Sequence, residues 1–330
     1  MHIPNDDSGE AIMISLGVDI GGTSIKGASI NEDGQIIARF SLPIIAKETG
    51  KETLEKLGEK ILSFINENNI QKKEILGLGV GCPGAINSEK GVIDYSNNLS
   101  WSNVPLKEIL EKATNLKVKV INDANAAALG EAIFGAGKEA SSVILLTLGT
   151  GVGGGIIING QVYEGNEGKG AELGHTVIEI DGRLCTCGRR GCLEAYASAT
   201  ALISDTKEML EKNRDSLMWI LVHDNINEVN GATPFNGKLK GDKYAEEIID
   251  SYIKYLGEGV LNFCNIFRPE TVVLSGGIAQ QGKDLLDPLI DYCEKRDYGF
   301  KGTPKVKITT AQLGYDSGIF GAASLFFNKK

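Results

Sequence analysis

The amino-acid sequence predicts an α/β protein of two domains. The chain has 330 residues, enough for two domains that each bury a core of ordinary size. Apolar runs typical of strands alternate with segments such as residues 51–68, where leucine and isoleucine recur at helical spacing. One pattern of strands and turns also occurs twice, and such a repeat bears on the whole fold.

The repeated pattern is strand, glycine turn, strand, Asx-Gly turn, strand. In the first copy, an apolar run ends near Gly21-Gly22-Thr23, and Asp33-Gly34 follows the next run. In the second copy, an apolar run ends in Gly149-Thr150-Gly151, and Asn159-Gly160 follows. Asx-Gly between apolar runs predicts a hairpin. Two unrelated glycine-rich hairpins would look alike, so the repeat alone does not decide the fold.

Charge and the N-terminal residues narrow the class of protein. The net charge of −9 argues against a nucleic-acid partner. We find no apolar run long enough to span a membrane, and residues 1–11 lack the basic start and apolar core of a signal peptide. We therefore expect a cytoplasmic protein with neither a nucleic-acid nor a membrane partner. In that compartment, the six cysteines are not read as a disulfide framework.

Three glycine turns have the chemistry of phosphate and nucleotide binding. Asp19 precedes Gly21-Gly22-Thr23, where bare backbone N–H groups and a hydroxyl can face a phosphate and the carboxylate can hold Mg²⁺. Residues 149–155 offer similar donors, but no Gly-Lys-Ser/Thr follows, which excludes a Walker loop. A hairpin rather than a helix follows these glycines, which disfavours a dinucleotide fold. Ser275-Gly276-Gly277 is the third turn and could accommodate an adenosine.

Taken together, the three turns predict a nucleotide held between two domains. The predicted nucleotide contacts are Asp19, Gly21, Gly22, Thr23, Lys26, Gly149, Thr150, Gly151, Gly153, Gly276 and Gly277.

These turns, with Asn122-Asp123, resemble the motifs of the sugar kinase, actin and Hsp70 superfamily. More narrowly, the sequence resembles the ROK family (repressors, open reading frames, kinases) from about Ile14 to the last helix. The resemblance implies a two-domain actin-like (ribonuclease H-like) ATPase fold with an interdomain cleft. We expect an N-terminal domain of residues 12–121 plus 312–330 and a C-terminal domain of residues 122–311. The resemblance also implies that the protein forms a homodimer or homotetramer.

Asn122-Asp123 begins a predicted alanine-rich helix directly after a strand. Either residue could serve only as an N-cap. The positive end of the helix also favours an ionised carboxylate, which could accept the proton of a sugar hydroxyl as that oxygen attacks ATP. The ROK resemblance implies this general-base role for Asp123 and a sugar contact for Asn122.

One histidine and three clustered cysteines predict a metal site. His175, Cys185, Cys187 and Cys192 make a complete tetrahedral set for zinc. Three buried free cysteines are the alternative, but their clustering within eight residues disfavours it. The spacing also resembles the ROK zinc motif. Because all four positions are filled by protein ligands, the predicted zinc is structural.

Other sugar contacts follow from the resemblance alone. It implies that Glu172, His175 and Glu194 bind sugar hydroxyls, with further contacts at Gly84 and Asn98. Without the resemblance, Glu172 is a loop carboxylate and Glu194 a solvated residue at a helix start. The usual Pro-Gly-Trp after Asn-Leu is replaced by Ser100-Trp101, so the loop departs from the family pattern there.

The expected function is ATP-dependent phosphorylation of a free hexose, with glucose at its 6-hydroxyl as the expected substrate. The expected cofactors are ATP, Mg²⁺ and structural Zn²⁺. Kinases for N-acetylmannosamine, N-acetylglucosamine, mannose or fructose use the same residue types and remain alternatives, as does polyphosphate as donor. A non-catalytic sugar-binding regulator is disfavoured by the intact phosphate loops and Asp123. A repressor is disfavoured by the short segment before the first strand and by the acidic charge.

Overall fold

The computed structural model describes residues 12–298 and 304–327. The chain divides into two compact units. The first unit ends at Ser141 and also includes Gly155–Ala171 and the segment from Gln312 onward. The second unit comprises Ser142–Gly154 and Glu172–Ala311. Among the described residues, no helix is both long enough and apolar enough to cross a membrane.

A five-stranded sheet forms the centre of the first unit. Its strands lie in the order β3-β2-β1-β4-β8: β1 Ile14–Ile20, β2 Ser24–Asn31, β3 Ile36–Pro43, β4 Ile75–Cys82 and β8 Val118–Asn122. The first three strands pair antiparallel, as the turn signals predict, and β4 and β8 add parallel to β1. The carboxyl ends of β1, β4 and β8 therefore lie at one edge of the sheet.

Helix α1, Gly50–Glu67, packs beside this sheet. Its N-cap Thr49 and Glu52 form a reciprocal capping box, which satisfies two backbone donors of the first turn. Its apolar residues are buried with those of the sheet in one core. The helix predicted over residues 51–68 thus begins one residue earlier and ends at Glu67.

Residues 85–114, to which the sequence assigns no regular element, hold a small antiparallel sheet and a helix. The elements are β5 Ala85–Asn87, β6 Val92–Ser96, β7 Trp101–Val104 and α2 Leu106–Thr114. The strands are too short for a clear alternating pattern. Ser100 in the β6–β7 turn has φ 55°. The residue that departs from the family pattern therefore has a left-handed backbone conformation.

Helices α3, Asp123–Phe134, and α10, Ser317–Ser324, pack against each other and on the sheet. Glycines allow backbone to meet backbone here: a Cβ on Gly79 of β4 would lie 1.8 Å from the carbonyl oxygen of Ala322, and one on Gly17 of β1 2.1 Å from that of Ile319. Because α3 packs on α10, it groups with the first unit. The predicted domain boundary after residue 121 instead placed α3 with the second.

A second five-stranded sheet has the order β11-β10-β9-β12-β13. Its strands are β9 Val143–Leu148, β10 Val152–Ile158, β11 Gln161–Val162, β12 Thr271–Ser275 and β13 Lys307–Thr310. A hairpin at one edge and two parallel strands at the other reproduce the topology of the first sheet. The structure therefore has the two related sheets that the sequence repeat suggests.

The described residues of the second unit also form six helices: α4 Glu194–Ala197, α5 Ala199–Lys212, α6 Met218–Leu221, α7 Thr233–Leu239, α8 Lys243–Phe267 and α9 Lys283–Arg296. The longest, α8, has an apolar face that is buried along most of its length. Leu193, next to α4, packs against Gly259 of α8. This packing holds the segment that carries Cys192 and Glu194 on a long, rigid helix.

A buried carboxylate joins the end of α3 to the chain entering α10. Glu131 is 0% exposed. It accepts hydrogen bonds from the backbone N–H groups of Ala136 at 2.8 Å, Gln312 at 3.1 Å and Leu313 at 2.8 Å. Three backbone donors of the first unit therefore depend on one side chain.

We predict that Glu131→Ala lowers the free energy of unfolding by about 3 kcal/mol, because each orphaned N–H costs about 1 kcal/mol. Urea denaturation measures the change. The control is Glu139→Ala in the same connection, where the side chain is exposed and the expected change is under about 0.5 kcal/mol. A loss below about 1 kcal/mol in Glu131→Ala would show that water replaces the carboxylate.

Candidate functional site

Asn122 and Asp123 have different structural roles at the start of α3. Asn122 is the N-cap: its Oδ1 accepts the N–H groups of Ala124 at 2.9 Å and Asn125 at 3.2 Å. Its Nδ2 donates to the carbonyl oxygen of Gly84 at 3.1 Å. The Asn122 side chain also hydrogen-bonds the carboxylate of Asp123, which acts to lower the pKa of Asp123. Since Asn122 caps the helix, Asp123 is the first helical residue and is not needed as the cap.

The carboxylates of Asp123 and Asp19 raise each other's cost of ionisation. Burial raises the pKa of Asp123, although hydrogen bonding to the Ala124 N–H opposes the change. Burial, and then the charge of Asp123, raise the pKa of Asp19 to about 6, against the opposing charge of Lys26. Two half-buried carboxyl groups with raised pKa values suit proton transfer and cation binding.

The first glycine turn connects β1 to β2 directly after Asp19. Its backbone is closed by the N–H of Gly21, which donates to the carbonyl oxygen of Ser24 at 2.9 Å. A Cβ on Gly22 would meet no atom within 4 Å, and Thr23 is exposed. Lys26 pairs with Asp19 across the two strands. The predicted phosphate contacts of this turn therefore lie together beside the half-buried carboxylate.

The other two glycine turns meet in the second unit. The glycine loop, residues 149–155, begins with Gly149 donating to the carbonyl oxygen of Gly151 at 3.0 Å, and Gly153 donates to Thr147 Oγ1 at 3.1 Å. Gly276 has φ +88°, and a Cβ on it would lie 2.5 Å from the carbonyl oxygen of Leu148. A 3₁₀ turn, Ile278–Gln281, rather than an α-helix follows directly.

His175, Cys185, Cys187 and Cys192 converge on one point. Their ligand atoms all lie within 4.8 Å of one another. The Cys185 Sγ is 3.6 Å from His175 Nδ1, and the Cys187 Sγ is 3.7 Å from that of Cys192. Nitrogen and sulfur ligands on a tetrahedral metal ion lie about 3.5–3.8 Å apart. The four residues could therefore hold a metal ion.

The chemistry of the three thiols also fits a cation. Burial, followed by hydrogen bonding to Cys187 and Cys185, raises the pKa of Cys192 to about 12. A thiolate at Cys192 is therefore unfavourable beside two further sulfur atoms. A bound cation reverses this preference, since coordinating thiols are deprotonated. A bound cation would therefore stabilise the thiolate form of this cluster.

The predicted sugar contacts of the second unit flank this cluster. Glu172 precedes a 3₁₀ turn, Leu173–His175, and its carbonyl oxygen accepts the N–H of His175 at 3.0 Å. Glu194 begins α4, and its carboxylate already has partners: Oε2 accepts the N–H of Val152 at 3.1 Å, and Oε1 accepts the Thr186 hydroxyl at 2.6 Å. His175 and Glu194 are partly buried, whereas Glu172 is exposed.

The predicted sugar contacts of the first unit lie around Asn122. Gly84 has φ +114°, and a Cβ on it would lie 2.2 Å from the carbonyl oxygen of Tyr95. Gly84 thus brings the end of β4 against β6 and offers its own carbonyl oxygen to Asn122. Asn98 is exposed in the turn that follows β6.

Two threonines of the second unit were missed by sequence reasoning. Thr186 donates to Glu194, and the Thr200 hydroxyl donates to the carbonyl oxygen of Thr150 at 2.7 Å. Thr186 had a signal, because it lies between two predicted ligands. Thr200 had none, because its partner is 50 residues away.

Comparison with known proteins identifies the family. A model described as the ROK family matches residues 15–329. A glucokinase of Thermotoga maritima is 38% identical over 94% of this chain and 96% of its own length. A glucokinase of Halalkalibacterium halodurans is 35% identical over 94% of each chain.

A solved structure is similar to this chain over nearly its whole length. That of a ROK family glucokinase from Streptomyces griseus, in complex with glucose and AMPPNP, is 31% identical in sequence and superimposes with a TM-score of 0.76 over 94% of this chain and 98% of that one. The predicted α/β, two-domain, actin-like fold class is thereby confirmed.

Proposed function

The chain belongs to the ROK family, and from that premise we propose that it is an ATP-dependent sugar kinase with glucose as its substrate. The observation that carries the proposal is the carboxylate of Asp123, which is half-buried at the start of α3 and free of the capping role. The similarity to glucokinases over nearly the whole chain supports glucose. Kinases for mannose, fructose or an N-acetylated amino sugar are the alternative.

Asp123 is the general base of this proposal. Its carboxylate accepts the proton of the sugar 6-hydroxyl as that oxygen attacks the γ-phosphate of ATP. The positive end of α3 favours the ionised form, whereas burial raises the pKa. The raised pKa makes the carboxylate a stronger base than a solvated one. Asn122, beside Asp123, contacts the sugar through its side-chain amide.

The nucleotide phosphates bind to backbone N–H groups of the two glycine turns in this proposal. The donors are the N–H groups of Gly22, Thr23, Thr150 and Gly151, whereas Gly21, Gly149 and Gly153, whose N–H groups are hydrogen-bonded within the protein, shape the two turns. Lys26 serves as a cation, and Gly276 and Gly277 lie at the adenosine. Such donors stabilise charge in a phosphoryl-transfer transition state. Asp19, whose pKa is raised to about 6 by burial and then by the charge of Asp123, would hold Mg²⁺, which supplies charge neutralisation on the phosphates.

The metal cluster holds a structural zinc ion in this proposal. All four positions of a tetrahedron are filled by His175, Cys185, Cys187 and Cys192. With Nδ1 towards the metal, the Nε2–H of His175 is free to donate to a sugar hydroxyl. Glu172 and Glu194 accept sugar hydroxyls on either side, and Gly84 and Asn98 add contacts in the first unit. We further propose a cytoplasmic enzyme that assembles as a homodimer or homotetramer.

We predict that Asp123→Asn lowers kcat for glucose phosphorylation about 100-fold or more, because general-base catalysis is worth about 10²–10⁴-fold. ATP binding should stay within about threefold of wild type, since the phosphate donors are elsewhere. A coupled ADP-release assay and nucleotide titration measure the two effects. Asp33→Asn, in an exposed turn that accepts either residue, is the matched control. Undiminished phosphorylation in Asp123→Asn would remove Asp123 from the mechanism.

We predict one zinc ion per chain and its loss in Cys192→Ser. The loss should lower the melting temperature by several degrees and raise the KM for sugar, because the segment from Glu172 to Glu194 loses its anchor. Metal analysis and thermal unfolding measure these effects. Cys264→Ser, which changes a buried cysteine outside the cluster, should keep its zinc. Metal-free wild-type protein with unchanged stability would identify the cluster as free cysteines.

A further inference from the structure

We propose that Glu194 is also a positioning residue for the glycine loop and makes nucleotide affinity depend on the bound sugar. The inference rests on the proposed function, which assigns Glu194 to the sugar and the glycine loop to phosphate. It adds a physical connection between the two sites within the second unit.

The Glu194 carboxylate lies directly against the glycine loop. Its Oε2 accepts the N–H of Val152 at 3.1 Å. A Cβ on Gly151 would lie only 2.3 Å from the same oxygen. The carboxylate therefore occupies the space that any side chain at position 151 would need. A charge-assisted hydrogen bond to a backbone N–H fixes the peptide plane that carries it.

The other carboxylate oxygen reaches the metal cluster. Oε1 accepts the hydroxyl of Thr186 at 2.6 Å. Thr186 lies between Cys185 and Cys187, two members of the proposed ligand set. One side chain thus joins the glycine loop to the cysteine loop.

The residues that follow Glu194 hold the glycine loop at two further points. The N–H of Ala199 donates to the carbonyl oxygen of Gly149 at 2.8 Å. The Thr200 hydroxyl donates to the carbonyl oxygen of Thr150 at 2.7 Å. Residues 194–200 therefore bind the backbone of the loop at positions 149, 150 and 152. Because this glycine-rich loop has few side chains of its own, these contacts set the direction of its N–H groups.

A sugar hydroxyl that donates to Glu194 restricts the carboxylate further. The glycine loop is then partly ordered before the nucleotide arrives. Nucleotide binding therefore costs less conformational entropy of the loop. Such a coupling is reciprocal: the nucleotide must raise the affinity for sugar by the same factor. We expect glucose to lower the Kd of AMPPNP about fivefold or more, at the weak end of measured couplings.

The test is calorimetric titration of zinc-loaded protein with Mg²⁺-AMPPNP, with and without saturating glucose. In Glu194→Ala, we expect the glucose-free Kd of AMPPNP to rise about 10-fold, the effect of losing one charge-assisted hydrogen bond. Glucose should no longer change it. Glu194→Gln keeps an amide oxygen for the Val152 N–H, so its Kd should stay within about threefold of wild type.

Two further variants distinguish positioning of the glycine loop from a general effect of charge or of misfolding. Thr200→Val removes a single contact to the loop and should raise the Kd of AMPPNP about fivefold, the effect of one neutral hydrogen bond. Glu208→Ala removes an exposed charge on α5 and should change nothing. Zinc content and melting temperature of each variant confirm that the cysteine loop is intact. If Glu194→Ala does not fold, the Kd of AMPPNP for Thr200→Val tests the inference instead.

An unchanged glucose-free Kd of AMPPNP in Glu194→Ala and Thr200→Val would overturn the inference. A raised KM for glucose in the same Glu194→Ala protein would leave the proposed function intact, with Glu194 as a sugar contact alone. Failure of the wild-type protein to bind AMPPNP and glucose would instead overturn the proposed function, and this inference with it.

Discussion

The close packing of α10 against the first sheet and α3 sets the geometry of the first unit. Glycines on both sides remove the side chains that would separate the backbones. A Cβ on Gly321 of α10 would lie 1.6 Å from the carbonyl oxygen of Ala126, and one on Gly130 of α3 2.3 Å from that of Ser317. No rotamer change can relieve contacts with a backbone carbonyl, so a larger residue would move a helix.

This packing determines where the two important carboxylates lie. Asp19 ends β1 beside the start of α10, where a Cβ on Gly318 would be 3.1 Å from its carboxyl carbon. Asp123 starts α3, which α10 holds in place. The two acids are thereby kept near enough for the charge of Asp123 to raise the pKa of Asp19. Two carboxyl groups with raised pKa values are thus held close together, an arrangement that is typical of catalytic sites.

In the second unit, hydrogen bonds to a few side chains hold the loops in position. Glu194 contacts the glycine loop and the cysteine loop at once, and Gly276 packs on the end of β9 beside that loop. The metal cluster lies on the same segment. A metal ion there would fix the cysteine loop, and through Thr186 and Glu194 it would restrict the glycine loop as well. In the proposed function, this metal would therefore act on structure and not on chemistry.

Features with a local signal were predictable from the sequence. The hairpins after Asp19, the strand-to-helix junction at Asn122 and the clustered cysteines each depend on residues close together in the chain, and the structure has all three. Features that depend on distant residues were not predictable. The partners of Glu194 lie up to 42 residues away. The short strands of the small sheet lack a full alternating period, and the grouping of α3 with α10 depends on packing rather than on order along the chain.

The identity of the product tests the central claim most directly. Phosphorus NMR of the protein incubated with glucose and Mg²⁺-ATP should show glucose 6-phosphate and ADP forming in equal amounts. A parallel panel of mannose, fructose, N-acetylglucosamine and N-acetylmannosamine should show slower turnover. Formation of another sugar phosphate in preference would correct the substrate. Absence of any sugar phosphate across the panel would contradict the assignment as a sugar kinase.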